Sequence, residues 1–384
     1  MPDVLLTAAV AFIISFLAIP VVLQIADLKK LYDVPDERKL HTHPVASLGG
    51  VGIFGGFLFA SLLSIQGQFN PEFQYFFAAA LVIFFLGLKD DLVILSASKK
   101  FVGQIIAAAI LIHLGDIRLN SMYGLFGINE LPEAFSYALS YLTVIVIINS
   151  FNLVDGVDGL AASLGLLTML VFGTYFFMIR EQAYALLAFS MAGSLIAFLI
   201  FNHHPARIFM GDCGSLMIGL LNAILAIKFI NVTNDSSVPI PVPASVPIAF
   251  AILIVPLLDT LRVFSMRIFQ GRSPFSPDRN HIHHLLLDRC GMGHAAVTLT
   301  CVGVNVFFIM LAYSCRSMNP SLLLFLLLAV AFTGLSLLYL GRRPRQRRLF
   351  VAKSIREPQS AIKSAAPSKI VPLTQQEAAK VDQH

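Results

Sequence analysis

The chain has 384 residues, of which 57% are hydrophobic and only 13% charged, with a net charge of +5 and a mean hydropathy of +0.79. A soluble domain carries about 25% charged residues. The balance therefore excludes an ordinary soluble domain and predicts an all-α polytopic membrane protein, since a spanning helix needs ~20 consecutive apolar residues.

Taken in chain order, the apolar runs predict eleven transmembrane helices, over 4–26, 48–66, 72–89, 101–115, 133–150, 158–179, 184–201, 213–231, 244–268, 295–314 and 321–341. The first is expected to be retained as a span. No basic residue precedes it and no small-residue cleavage site follows it, as a signal peptide would require. The breaks are rich in Gly, Pro, Asn and charge, as loops should be. Residues 1–341 read as one membrane domain. Residues 342–384 open with Arg342, Arg343, Arg345, Arg347 and Arg348, then lose apolar periodicity, and read as a disordered basic tail against anionic headgroups. The chain has no Trp, so Tyr and Phe must supply the interfacial belt. Four cysteines in no CxxC or CxxH pattern imply buried thiols rather than disulfides or structural zinc.

Orientation follows from Lys and Arg. Loops after odd-numbered spans hold Lys29, Lys30, Arg38, Lys39, Lys89, Lys99, Lys100, Arg207, Arg267, Arg272, Arg279 and Arg289, whereas the opposite loops hold Arg118, Arg180 and Arg316. The N-terminus is expected outside and the C-terminus in the cytoplasm. This places the unusual acids on the cytoplasmic side, where a carboxylate must be paired, metal-bound or hydrated to escape a cost of several kcal/mol.

Those acids fall in four segments. GLKDDLV puts Asp90 and Asp91 side by side at a helix end, able to bind a divalent ion or to tune one another into a base. INSFNLVDGVDGLA repeats Asn149, Asn152, Asp155 and Asp158 every three residues, which a continuing helix would hold on one face. Amides and carboxylates are hard oxygen donors suited to Mg²⁺ and to sugar hydroxyls. FMGDCGS places Asp212 at a helix N-terminus among small residues, a setting for an anion and the best candidate for a principal metal ligand. Because Mg²⁺ takes only one or two carboxylates, five neighbouring aspartates must divide into ligands, base and acceptors. SPFSPDRNHIHH offers Arg279, His281, His283 and His284 for phosphate, while Asp259 and Asp278 are marginal. The first loop adds Lys39 and two histidines, and Lys99 and Lys100 could also reach a phosphate. A transporter is disfavoured because the acids sit at span ends and the mid-span stretches are clean.

In order along the chain, DERKLHTHP…GG, GLKDDL, NSFNLVDGVDGLA, FNHHPARIFMGDCGS and SPFSPDRNHIHHLL resemble the polyprenyl-phosphate N-acetylhexosamine-1-phosphate transferases over about residues 30–290. The likeness is greatest to the branch that uses UDP-GlcNAc and undecaprenyl phosphate. The pentapeptide translocase branch has a TPTMGG-like segment where this chain has HPVASLGG. The resemblance implies a multi-pass bacterial inner-membrane enzyme that transfers GlcNAc-1-phosphate to the lipid, releases UMP and starts a cell-surface polysaccharide. It implies Mg²⁺, with Mn²⁺ as the alternative ion. Its partners would be a UDP-sugar, a polyprenyl phosphate and the bilayer, with no nucleic acid and a homodimer left open. On this resemblance Asp90 would be the base, with Asp91 beside it, and Asp212 would hold the metal with Asn152. Asn202 and Phe209 would grip uracil, and Asp155 would contact the nucleoside. Asp158 and the histidines would hold diphosphate and sugar, with Asn149, Arg279 and Lys39 in support. The family's acid pair is often written DDxxD, but the third position here is Ile94, so no third acid is assigned in that loop. A base or a covalent nucleophile at Asp90, and a sister UDP-N-acetylhexosamine donor, both stay open.

Overall fold

A computed structural model describes residues 2–32, 45–65, 71–234, 237–271, 281–288 and 290–340. Among them are thirteen α-helices: α1 (Pro2–Lys29), α2 (Gly49–Ser64), α3 (Glu72–Leu92), α4 (Ala97–Ala109), α5 (Glu133–Val154), α6 (Leu160–Met178), α7 (Gln182–Asn202), α8 (Gly211–Val232), α9 (Ser245–Ile252), α10 (Ile254–Phe269), α11 (Ile282–Asp288), α12 (His294–Ser314) and α13 (Pro320–Leu340). Every expected apolar run is helical. Seven of these helices, and an eighth made of α4 with the π-helical turn Ile110–Leu114 that continues it, are long and apolar enough to cross a membrane, or nine spans if the bent pair α9–α10 counts as one. The protein is a multi-pass helical membrane protein. The α2 helix, at 16 residues, is shorter than that measure, and α3, which ends on Lys89, Asp90 and Asp91, is not among the eight.

The bundle is layered by burial. In its most apolar stretch α8 is 94% buried and α7 78%, whereas α13 is only 17% buried. The α3 and α5 helices flank α8, and α1, α2 and α6 pack on α7. Outer helices turn Leu5, Leu6, Phe59, Phe85, Leu322 and Phe325 outward. A water-soluble surface does not carry so broad an apolar belt, but a bilayer accepts it.

Two features depart from the sequence expectation. The run expected as one helix over 244–268 breaks at Leu253, and α9 and α10 meet at 86°. The cause is Pro256, which has no N–H to give to the carbonyl of Ile252, four residues earlier. Buried Asn305 of α12 repairs the break: its Nδ2 donates to Ile252 O (2.9 Å) and its Oδ1 accepts from Val255 N (3.3 Å). Inside a membrane an unrepaired backbone group would cost several kcal/mol. The second departure is a β-hairpin, β1 (Ser121–Leu125) with β2 (Ile128–Glu130), antiparallel and unanticipated. Tyr123 Oη donates to Asn231 O, and Phe126 N donates to Ser321 Oγ, tying the hairpin to the ends of α8 and α13. All four cysteines are free thiols, but only Cys213 and Cys301 are buried as expected; Cys290 and Cys315 are half-buried. Lys39, Arg279, Asp278 and the tail over 342–384 lie outside the described residues.

Candidate active site

The site is built where α3 ends, α5 ends and α4 and α8 begin. Two carboxylates in the last turn of a helix face the negative end of its dipole, an unfavourable place without cations or donors. Both acids of α3 find them. Asp91 accepts from the N–H groups of Asp212 (2.7 Å) and Cys213 (3.1 Å), the open N-terminus of α8. The chain's own Asp91 carboxylate therefore occupies the terminus expected to suit an anion, and holds the turn that carries Asp212. Gly211 makes the approach possible: its φ is +72°, and a Cβ there would lie 2.6 Å from Asp91 Oδ2 and 2.4 Å from Ser47 O.

Asp90 faces a different partner. Its Oδ2 is 2.5 Å from Lys100 Nζ, and the same ammonium is 2.6 Å from Asp212 Oδ2. Leu95 N donates to the other oxygen of Asp90 at 2.7 Å. Lys100 bridges two acids that are 122 positions apart in sequence. The second oxygen of Asp212 accepts from Asn152 Nδ2 (2.9 Å), which also contacts Ser215 Oγ (3.1 Å).

The expected three-residue register does not continue as one helical face. Helix α5 ends at Val154, Asp155 caps it, and Gly159 restarts the chain at φ +75°. The four residues therefore separate. Asn149 pairs with Gln104 of α4, Asn152 holds Asp212, and Asp158 turns to His204 and His294. Asp155 faces the acids. Burial, and then the charges of Asp212, Asp91 and Asp158, push its carboxyl up to about 8. It is a protonated hydrogen-bond donor at neutral pH while no further cation is present.

The histidine segment joins this site through Gly156, where a Cβ would lie 2.7 Å from His283 Nε2. Burial brings His283 down to about 3, so it is a neutral imidazole and not a cation for phosphate. Asp259, taken as marginal, is a buried hub: it accepts from Ile282 N (2.9 Å) and Arg262 (3.2 Å) and pairs with His281 Nδ1 (2.9 Å). The His284 ring lies tilted against those of His283 and His281, with centroids 4.4 and 6.3 Å away. Asn202 is buried, with Oδ1 accepting from Gly159 N and Nδ2 donating to Ile208 O, both at 2.8 Å. Phe209 is half-buried and holds the strand-like pairing with Ala46 and Gly49 through its backbone.

A family model described as glycosyl transferase family 4 matches residues 73–230, the stretch that contains both α3 acids, Lys100, Asn152, Asp155, Asp158 and Asp212. The decaprenyl-phosphate N-acetylglucosaminephosphotransferase of Mycobacterium leprae is 33% identical over 319 residues, covering 77% of this chain and 80% of that protein. This chain belongs to glycosyl transferase family 4. The undecaprenyl-phosphate alpha-N-acetylglucosaminyl 1-phosphate transferase of Yersinia pestis is 32% identical over 263 residues, covering 67% of this chain and 69% of the relative. The Mycolicibacterium smegmatis decaprenyl-phosphate N-acetylglucosaminephosphotransferase is 34% identical over 283 residues, or 68% and 69% of the two chains. In this family 4 member the three helix ends that bear the acids all lie within the matched region.

Proposed function

We propose that the chain transfers GlcNAc-1-phosphate from UDP-GlcNAc to a polyprenyl phosphate, undecaprenyl phosphate in our reading, at the cytoplasmic face of a bacterial inner membrane. The observation that carries the proposal is the convergence of Asp90, Lys100, Asn152, Asp155 and Asp212 at one end of the bundle. The relatives named for this chemistry support it, and the Lys and Arg bias of the loops supports the cytoplasmic address.

The residues fit a divalent ion on their own chemistry. The Lys100 ammonium already marks a cation position between Asp90 and Asp212, and the surrounding donors are the hard oxygens that Mg²⁺ prefers. Asp212 would hold Mg²⁺ with Asn152, and the bound ion would neutralise charge on the donor diphosphate. Asp90 takes the proton of the lipid phosphate, whose oxygen attacks the sugar-linked phosphorus. The bond to the bridging oxygen on the uridine side breaks, UMP leaves, and a lipid diphosphate-GlcNAc forms. Such transfer depends mostly on positioning and charge neutralisation, and here Asp91 positions Asp212 while Lys100 balances the acids. Asp155 contacts the nucleoside. The product begins a cell-surface polysaccharide.

Purified full-length protein, Mg²⁺ and polyprenyl phosphates of two chain lengths, offered a panel of UDP-N-acetylhexosamines, tests this through UMP release. UDP-GlcNAc should give the highest kcat/KM. Preference for another UDP-N-acetylhexosamine would replace the donor, and absence of UMP with every donor would reject the reaction.

A further inference from the structure

A second constellation lies outside the acid–lysine cluster. Asp158 Oδ2 is 2.6 Å from His204 Nδ1 and 3.3 Å from His294 Nδ1. One ligand atom from each residue lies within 4.8 Å of the others. The three come from separate segments: the α5–α6 turn, the α7–α8 connection and the first residue of α12. The imidazole centroids are 4.5 Å apart. His294 Nδ1 is buried and makes no aligned hydrogen bond, although Asp158 is close. Supporting contacts hold the group in place: Ala206 N donates to Asp158 Oδ2 (3.3 Å), and Thr298 Oγ1 donates to Asp158 O (3.1 Å). His204 is 48% exposed, which leaves a path for an ion to reach the other two.

His204 Nδ1 makes an aligned contact with Asp158 Oδ2 and His294 Nδ1 does not, so a proton satisfies only one of the two imidazoles that face this oxygen. A cation among them serves all three. Two nitrogens and one carboxylate oxygen form a zinc-type donor set, whereas imidazole is a poor ligand for Mg²⁺. Bond lengths of about 2.0–2.2 Å in a tetrahedron set donor atoms about 3.3 Å apart. The His294–Asp158 separation already has this value, and the exposed His204 has to withdraw by about 0.7 Å to match it. We propose that Asp158, His204 and His294 form a three-ligand site for a zinc-class divalent ion, with water as the fourth ligand. The site is distinct from the oxygen-rich position at Asp212. The ion ties the turn that carries Asp155 to the α7–α8 connection and to α12, and so acts as a clasp beside the active site.

The test uses the full chain in detergent, stripped by chelator and titrated with Co²⁺ in millimolar Mg²⁺. Tetrahedral Co²⁺ absorbs visibly, and Zn²⁺ displaces it. Wild type should take up one equivalent with that spectrum. His204→Ala/His294→Ala should lose it, and His284→Ala, altered in the other histidine cluster, should keep it. His204→Asn, a change at an exposed side chain, should bind at least tenfold more weakly and keeps the test decisive if the double variant fails to fold. No saturable tetrahedral band in wild type, or an unchanged band in His204→Asn, overturns the proposal.

Discussion

The bridge formed by Lys100 makes a quantitative prediction. Lys100→Met removes the only positive charge seen between Asp90 and Asp212 among the described residues and leaves the two carboxylates facing each other. Breaking a fully buried ion pair costs about 3–5 kcal/mol. Here the side chains are 26%, 12% and 22% exposed for Lys100, Asp90 and Asp212, so solvent screens part of the repulsion. The expected loss is about 2–3 kcal/mol in chelator. If Mg²⁺ binds at the position the ammonium marks, an ion at 100 times its Kd returns about 2.7 kcal/mol. Thermal melts in detergent, with EDTA and then with a Mg²⁺ titration, read both effects. Lys100→Met should melt well below wild type in EDTA and recover as Mg²⁺ saturates. A variant as stable as wild type in EDTA, or one that Mg²⁺ stabilises no more than wild type, refutes the shared cation position.

Asp91→Ala, which strips two charge-assisted acceptors from the N-terminus of α8, should cost about 2 kcal/mol or more by denaturant midpoint, and Asp91→Asn less, because one acceptor survives. Equal stability of Asp91→Ala and wild type would exclude the positioning role. Asp155, at about 8 when folded against an ordinary unfolded value, keeps a proton that the unfolded chain has released. Chelated wild type should therefore lose up to about 1.4 kcal/mol per unit as pH rises from 6 to 8 and then level off. Asp155→Asn should flatten that slope, and parallel melting curves for the two proteins would contradict the assignment. Accessibility tags at the two termini should report opposite sides of the membrane, as an odd number of spans demands, whereas same-side labelling breaks the eleven-span reading.

The helices were legible because hydrocarbon imposes a simple demand: long apolar runs punctuated by polar breaks. The motif acids were legible for the complementary reason, that charge beside such runs is costly. What pattern could not show was pairing between segments. Lys100 was read only as able to reach a phosphate, because nothing local reveals Asp90 and Asp212 closing on it. The three-residue register in VDGVDG suggested one helical face, but Gly159 at positive φ ends that periodicity and sends Asp158 to His204 and His294. Asp259 had a signal that was underweighted: an acid inside a 25-residue apolar run is a functional or structural polar centre by default. Pro256 likewise announced the break before Asp259, but only the fold shows Asn305 repairing it. The hairpin over 121–130 was missed because SMYGLFGINE is short and has no clean alternation.

The central claim is that the cluster of α3, α4, α5 and α8 ends is the active site. Release of UMP from UDP-GlcNAc by wild type, Asp90→Asn and Asp212→Asn, each folded in detergent with polyprenyl phosphate and Mg²⁺, tests it most directly. Both variants should lose at least a hundredfold in turnover, about 2.7 kcal/mol of barrier. Turnover within a few-fold of wild type in either one would contradict the claim.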